Sequence, residues 1–144
     1  LCLCGKSFRS LDVTTFADRL ADAVRRKGTA LCVGLDPRWE LLPEAVKHPH
    51  RGRPGGFPAA LRDYCLRVLE LVAPVAPVVK PQAAFFELFG PDGMHVLQTV
   101  VQRARHLGLV TILDAKRGDI ASTATAYADA AFAGAALDGQ TFPV

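Results

Sequence analysis

Apolar and polar positions alternate with two different periods along this chain, and the switches between them outline its elements. Phe16, Leu20 and Val24 recur at helical spacing, Ala17 and Ala21 widen the stripe, and Gly28 stops it, which predicts an amphipathic helix over residues 13–27. Residues 29–33 form a short apolar run that reads as a buried strand, closed by a polar turn, Gly34-Leu35-Asp36-Pro37. Residues 47–58 hold three prolines and three glycines and read as an exposed connecting loop. A second helix is predicted over roughly 58–73, with Leu61, Cys65, Leu69 and Val72 on one face.

Residues 77–82 follow as a short strand, since Val78 and Val79 are β-branched and lie between prolines. Residues 83–89 read as a helical turn. Val96, Val100 and Ala104 then align over a third helix, 93–107, with Gly108 as its stop. Residues 109–113 make the clearest strand and lead directly into Asp114-Ala115-Lys116. A last, alanine-rich helix is predicted over 119–133 with Asp119 as its N-cap, and the tail from Gly134 reads as loop. The order is a helix followed by β-α-β-α-β-α, which implies a parallel sheet. Continuous apolar strands suit burial on both faces. No G-x-G-x-x-G turn follows the first strand, which speaks against a dinucleotide-binding unit. The expected fold is α/β, a (β/α)₈ TIM barrel of which this chain holds about the first three β-α units.

Composition narrows the picture without redirecting it. The chain has 144 residues, 50% of them hydrophobic and 22% charged, which suits part of a single domain with a packed core. Residues 1–144 are expected to be the N-terminal part of one TIM-barrel domain, with 1–12 an irregular lead-in. The chain opens on Leu1 and closes on Thr141-Phe142-Pro143-Val144, and the expectation is a piece of a longer protein. The net charge of +3, interspersed in sign, favours anionic small molecules and not nucleic acid. Arg25-Arg26-Lys27 reads as the solvated end of the first helix. No run reaches the roughly 20 apolar residues of a membrane span. Cys32 and Cys65 lie in apolar runs and are expected to be buried thiols, and the Cys2/Cys4 pair has no second ligand pair at zinc spacing. That usage fits a reduced, cytoplasmic protein. His48 and His50 are expected at the surface without partners, His95 and His106 at the surface or boundary of the third helix, and Trp39 with Phe85-Phe86 in packing roles.

Candidate chemistry gathers where the strands end. Asp36, Lys80, and Asp114 with Lys116 follow the three strands, and a barrel places such positions around one mouth. Asp114 and Lys116 are two apart, so continued extended backbone would turn them to one face. With Asp119 three residues further on, the set Lys80, Asp114, Lys116, Asp119 alternates in sign, so that each charge can hold its neighbour ionised. A structural salt-bridge network would show the same alternation.

The run Asp114-Ala115-Lys116-Arg117-Gly118-Asp119-Ile120 resembles the signature of the orotidine 5′-phosphate decarboxylase family. The segment V-V-K-P-Q-A-A-F-F-E at 78–87 resembles the second-strand segment of that family's longer bacterial branch, and G-L-D-P at 34–37 its first-strand end. The resemblance runs in the family's order from about residue 14 onward. It implies decarboxylation of orotidine 5′-phosphate to UMP, in de novo pyrimidine biosynthesis, without metal or organic cofactor. By the same resemblance, Asp36 would bind the ribose hydroxyls, and Lys80 would bind the sugar and anchor the charges. Asp114 would face the substrate carboxylate and Lys116 would donate the proton. Asp119, Ile120 and Thr123 would reach into a partner's site, implying a homodimer with shared sites and no nucleic-acid or membrane partner. Arg117 and Gly118 receive no direct catalytic role.

Two other readings stand beside this one. A Mg²⁺-dependent sugar-phosphate decarboxylase or aldolase of the same superfamily shares the D-x-K-x-x-D pattern, though the Arg-Gly-Asp-Ile continuation and V-V-K-P-Q favour the nucleotide enzyme. An inactive truncated fragment is the other. The phosphate-gripping arginine and the pyrimidine-reading residues of the family come from later strands, so the isolated 144 residues are expected to be inactive and aggregation-prone.

Overall fold

A computed structural model describes residues 15–133. The expected lead-in at 1–12, the Cys2/Cys4 pair and the tail from Gly134 lie outside the described residues. Helix α1 (Phe16–Lys27) opens on a capping box: Thr15 accepts from the Asp18 backbone N–H while the Asp18 carboxylate accepts from that of Thr15. It ends on Gly28 in the left-handed conformation. Ala23 is its buried residue, whereas Phe16 is exposed, so the apolar stripe is only partly covered. The solvated basic end is half right: Arg25 and Arg26 are exposed, but Lys27 Nζ donates to the carbonyls of Ala73 (2.6 Å) and Pro74 (3.3 Å), pinning α1 to the chain before the second strand.

Three parallel strands follow in the order β1 (Cys32–Leu35), β2 (Val78–Pro81) and β3 (Val110–Thr111). Val33 pairs with Val79 and Gly34 with Lys80, and Val78 pairs with Val110. Strand β1 begins later than its apolar run and takes in Gly34 and Leu35, which the sequence reading assigned to a turn. Pairing with β2 carries it further, since Gln82 N–H donates to the Leu35 carbonyl at 3.1 Å. Strand β3 is shorter than its apolar run, although Val110, Ile112 and Asp114 all donate to β2-side carbonyls, those of Pro77, Val79 and Pro81. Pro81 has no N–H to return, so the ladder is one-sided there.

Helices α3 (Gly56–Val72), α4 (Ala84–Glu87) and α5 (Gly90–His106) cover one face of the sheet. Leu61, Cys65 and Leu69 of α3, Phe86 of α4, and Val96, Leu97, Val100 and Ala104 of α5 are buried against Leu35 and Val79. Burial pushes the Cys65 thiol up to about 12, which keeps it inert. Cys32, expected to be buried, is exposed: it alternates with Val33 and falls on the face away from these helices.

The predicted loop at 47–58 is partly helical. Short helix α2 (Glu44–Lys47) runs into a 3₁₀ turn, His48–His50, and α3 starts at Gly56. His50 also has a partner, with its Nε2 3.0 Å from Asp63 Oδ2, while His48, His95 and His106 are exposed. Trp39 and Phe86 pack as expected, Trp39 against Phe57 at 4.1 Å between ring centroids and Phe86 fully buried. Lys47 is buried beside that pair, its ammonium 5.8 Å from the Trp39 ring and 2.7 Å from Glu44. The final helix, α6 (Ala121–Ala128), relaxes into a wider turn over Asp129–Ala133. Asp119 does not cap it. Its carboxylate accepts from the Ile120 N–H, at 2.7 Å, and Ile120 holds the cap position without a side-chain bond.

Gly93 sets how closely α5 approaches α4. A Cβ there would fall 1.9 Å from the Phe86 carbonyl oxygen, a backbone atom that cannot rotate away. Gly93→Ala should therefore cost about 1–3 kcal/mol by forcing the two helices apart. Urea denaturation of the protein reads this as a lowered midpoint, and an unchanged midpoint would show that the contact yields freely.

Candidate active site

The face of the sheet away from the helices presents Cys32 and Gly34 from β1, Val78 and Lys80 from β2, and Val110 from β3, by the register and the alternation of side chains. Polar groups replace apolar ones toward the carboxyl ends. Gln82 and Asp114 form a further parallel bridge beyond the regular strands, and Ala83 N–H donates to the Asp114 carbonyl at 3.0 Å. The Asp114 backbone is thus tied to β2 before its side chain makes any contact.

That side chain joins two lysines. Lys80 Nζ donates to Asp114 Oδ2 at 3.0 Å and Lys116 Nζ donates to Oδ1 at 2.6 Å. The hydrogen bond from Lys116 and then that from Lys80 hold the Asp114 carboxyl below its ordinary value of 3.8. The bond to Asp114 raises Lys80 above its ordinary value, burial opposes the rise, and the charges of Asp114 and Asp36 add to it. Asp36 therefore belongs to the same electrostatic environment, although it is exposed. The arrangement is one ionised carboxylate between two ammonium groups, open on one side: Lys116 is 72% exposed and Asp114 23%.

The structure brings Lys80, Asp114 and Lys116 together, with Asp36 close enough to be felt. It does not bring in Asp119, Ile120 or Thr123. Among the described residues Asp119 forms no salt bridge with these lysines, and Ile120 is 74% exposed. The four-membered alternation is thus three-membered within one chain. The expected geometry between Asp114 and Lys116 also differs. Lys116 has φ +48°, the only non-glycine residue with positive φ among those described. Extended backbone does not continue through it, and the pair closes across a left-handed turn.

Two side chains within the quoted motifs, Glu87 and Arg117, were assigned no catalytic role. Arg117 donates to the Glu87 carboxylate on α4 and, at 2.9 Å, to the Ala115 carbonyl, and its guanidinium lies 5.4 Å from the Tyr127 ring centre on α6. The thirty-residue separation of Glu87 and Arg117 leaves no spacing signal; their opposite charges within two conspicuous motifs were the available hint.

A parallel βα sheet that carries clustered acid and lysine groups beyond its carboxyl strand ends is arranged like part of the mouth of a TIM barrel. The chain belongs to the orotidine 5′-phosphate decarboxylase / HUMPS family, whose model matches residues 29–140. Orotidine 5′-phosphate decarboxylase from Rhodopirellula baltica is 49% identical over 117 residues, covering 81% of this chain and 39% of that protein. The enzyme of the same name from Nocardioides sp. is 45% identical over 115 residues, covering 80% and 39%. Among solved structures, Leishmania donovani OMP decarboxylase superposes with a TM-score of 0.62 at 40% identity, covering 82% of this chain and 40% of that one. Leishmania donovani UMP synthase gives 0.64 at 39% identity, covering 83% and 23%. The chain spans about two fifths of the length of the curated relatives it matches.

The charge pair has a pH signature. A carboxyl with a depressed folded-state pKa contributes stability that is complete above its ordinary value and lost as pH falls through the folded one. Protonated Asp114 resembles asparagine. Asp114→Asn should be less stable than the parent protein near neutral pH, and the gap should close as pH falls below 3.8. Denaturant midpoints across that range test it, and a pH-independent gap would exclude the charged pairing as the cause.

Proposed function

We propose that the protein carrying this chain decarboxylates orotidine 5′-phosphate to UMP in pyrimidine biosynthesis. The observation that carries this reading is the Lys80–Asp114–Lys116 cluster beyond the strand ends, in a chain of this family. Loss of CO₂ from C6 leaves an electron pair in the plane of the pyrimidine ring, where the π-system cannot delocalise it. A cation placed at C6 stabilises that charge as it develops. Lys116 fills this role and then donates its proton to C6. Among the described residues its ammonium has one side-chain partner, Asp114, and the side chain is mostly exposed, which suits a group that must reach a bound ring.

Asp114 stays ionised because two lysines donate to it. Facing the substrate carboxylate, it repels that group, and binding of the remote phosphate holds the two together. The lysines offset part of the repulsion, which limits its share of the rate. Lys80 anchors Asp114 from the neighbouring strand and binds the sugar, and Asp36 accepts from the ribose hydroxyls. No metal or organic cofactor takes part. The enzyme works in the cytoplasm as a homodimer, with Asp119, Ile120 and Thr123 of each subunit serving the other's site. Their failure to join the cluster within one chain supports that division, as does the exposure of Ile120.

Lys116→Ala in the full-length protein should lower turnover by roughly 10²–10⁴-fold or more, while a UMP-like analogue still binds and a chelator leaves the parent activity unchanged. Near-normal turnover by that variant would remove Lys116 as proton donor, and loss of activity to the chelator would favour the Mg²⁺-dependent reading. Sharing of sites is tested by mixing. Lys116→Ala and Asp119→Ala proteins, each inactive alone, should regain activity after subunit exchange, because one hybrid site is intact. An inactive mixture with proven exchange would place Asp119 in its own subunit's site.

A further inference from the structure

Lys116 combines a left-handed backbone, a mostly exposed side chain and, among the described residues, a single hydrogen-bonding partner. Left-handed conformation is unfavourable for a residue bearing a Cβ and persists where surrounding contacts enforce it. On the N-terminal side the enforcement is clear: Asp114 is bound to β2 through its backbone and through Lys80. On the C-terminal side it falls to Arg117. That guanidinium bonds Glu87 of α4, the Ala115 carbonyl just before Lys116, and lies over Tyr127 of α6. Both charged groups are about one third exposed, so the pair is partly shielded from water. Gly118, the next residue, has open space around its Cβ position and imposes nothing by packing.

We propose that Arg117 and Glu87 act as a strut that positions Lys116, an inference that rests on Lys116 being the proton donor. The strut fixes the turn at its second end. The lysine then approaches C6 from a set direction without searching many rotamers. Glu87 sits on a helical turn whose neighbour Phe86 is fully buried, so the anchor is rigid. Arginine suits the position better than lysine because one planar group can bond Glu87 and Ala115 together while stacking on Tyr127. Both members are positioning residues.

The test uses the full-length enzyme, with Glu87→Gln, Arg117→Met and the double variant measured beside Lys116→Ala. A small misplacement of a reacting group can cost about 10²-fold, so each single variant should lose about 10- to 100-fold in kcat, with KM and analogue affinity within about two-fold. The double variant should lose no more than the worse single one, since either change removes the same strut. Thermal melting of each variant separates this from unfolding. Unchanged kcat in Glu87→Gln and Arg117→Met beside an inactive Lys116→Ala would overturn the strut alone. So would additive losses in the double variant, or losses confined to KM. Near-normal turnover by Lys116→Ala would instead remove the proton donor, and with it the purpose of the strut.

Discussion

One carboxylate, that of Asp114, accepts from two lysines that arrive on different segments, and the rest of the site is organised around it. Lys80 is contributed by β2, and Lys116 by the turn that follows β3. Two ammonium groups brought to one carboxylate would repel each other without it. Placing Asp114 between them converts repulsion into two charge-assisted bonds and leaves the cluster with an excess of positive charge. That excess suits an anionic ligand better than a neutral one. The same bonds keep the carboxyl ionised and Lys80 protonated across the neutral range.

The fold serves this carboxylate through backbone pairing before any side chain takes part. Asp114 donates to the Pro81 carbonyl and accepts from Ala83, so its main chain is tied to the end of β2 on both sides of Gln82. Behind β2, Val79 shares one core with Phe86 and the buried faces of α3 and α5, and Pro81 is fully buried. Gly93 lets α5 sit close enough to α4 for Phe86 to be sealed. The missing N–H of Pro81 loosens the ladder at the point where β3 gives way to the turn carrying Lys116.

How much of this could be read in the sequence depends on how local the cause was. The alternation of strands and helices follows from apolar periods within single segments, and all three strands and the longer helices lie where those periods put them. Edges moved where a partner strand decided them, as when β2 drew Gly34 and Leu35 into β1. The three charges of the cluster were legible because Lys80 closes one apolar run and Asp114 with Lys116 follows another, and their alternating signs already suggested pairing. The route of that pairing was not legible, since the inference of a shared face assumed extended backbone at Lys116, and the chain turns left-handed there. Contacts between distant segments were invisible: Lys27 with Ala73, His50 with Asp63, Glu87 with Arg117. No one-dimensional pattern encodes such pairs, because each needs the register of the whole sheet to bring its members together.

The motif D-A-K-R-G-D-I therefore divides physically at Gly118. Residues before it are held by this chain: Asp114 by β2, Lys116 by Asp114, and Arg117 by α4 and α6. Residues after it are released from the cluster, with Asp119 bonded only to its neighbour's N–H and Ile120 facing outward. A single exposed isoleucine is ordinary on a protein surface. Under the proposed sharing of sites, Ile120 would be covered once the site is complete. Gly118 at the division has open space around its Cβ position and no positive φ, so neither packing nor backbone within this chain requires glycine there.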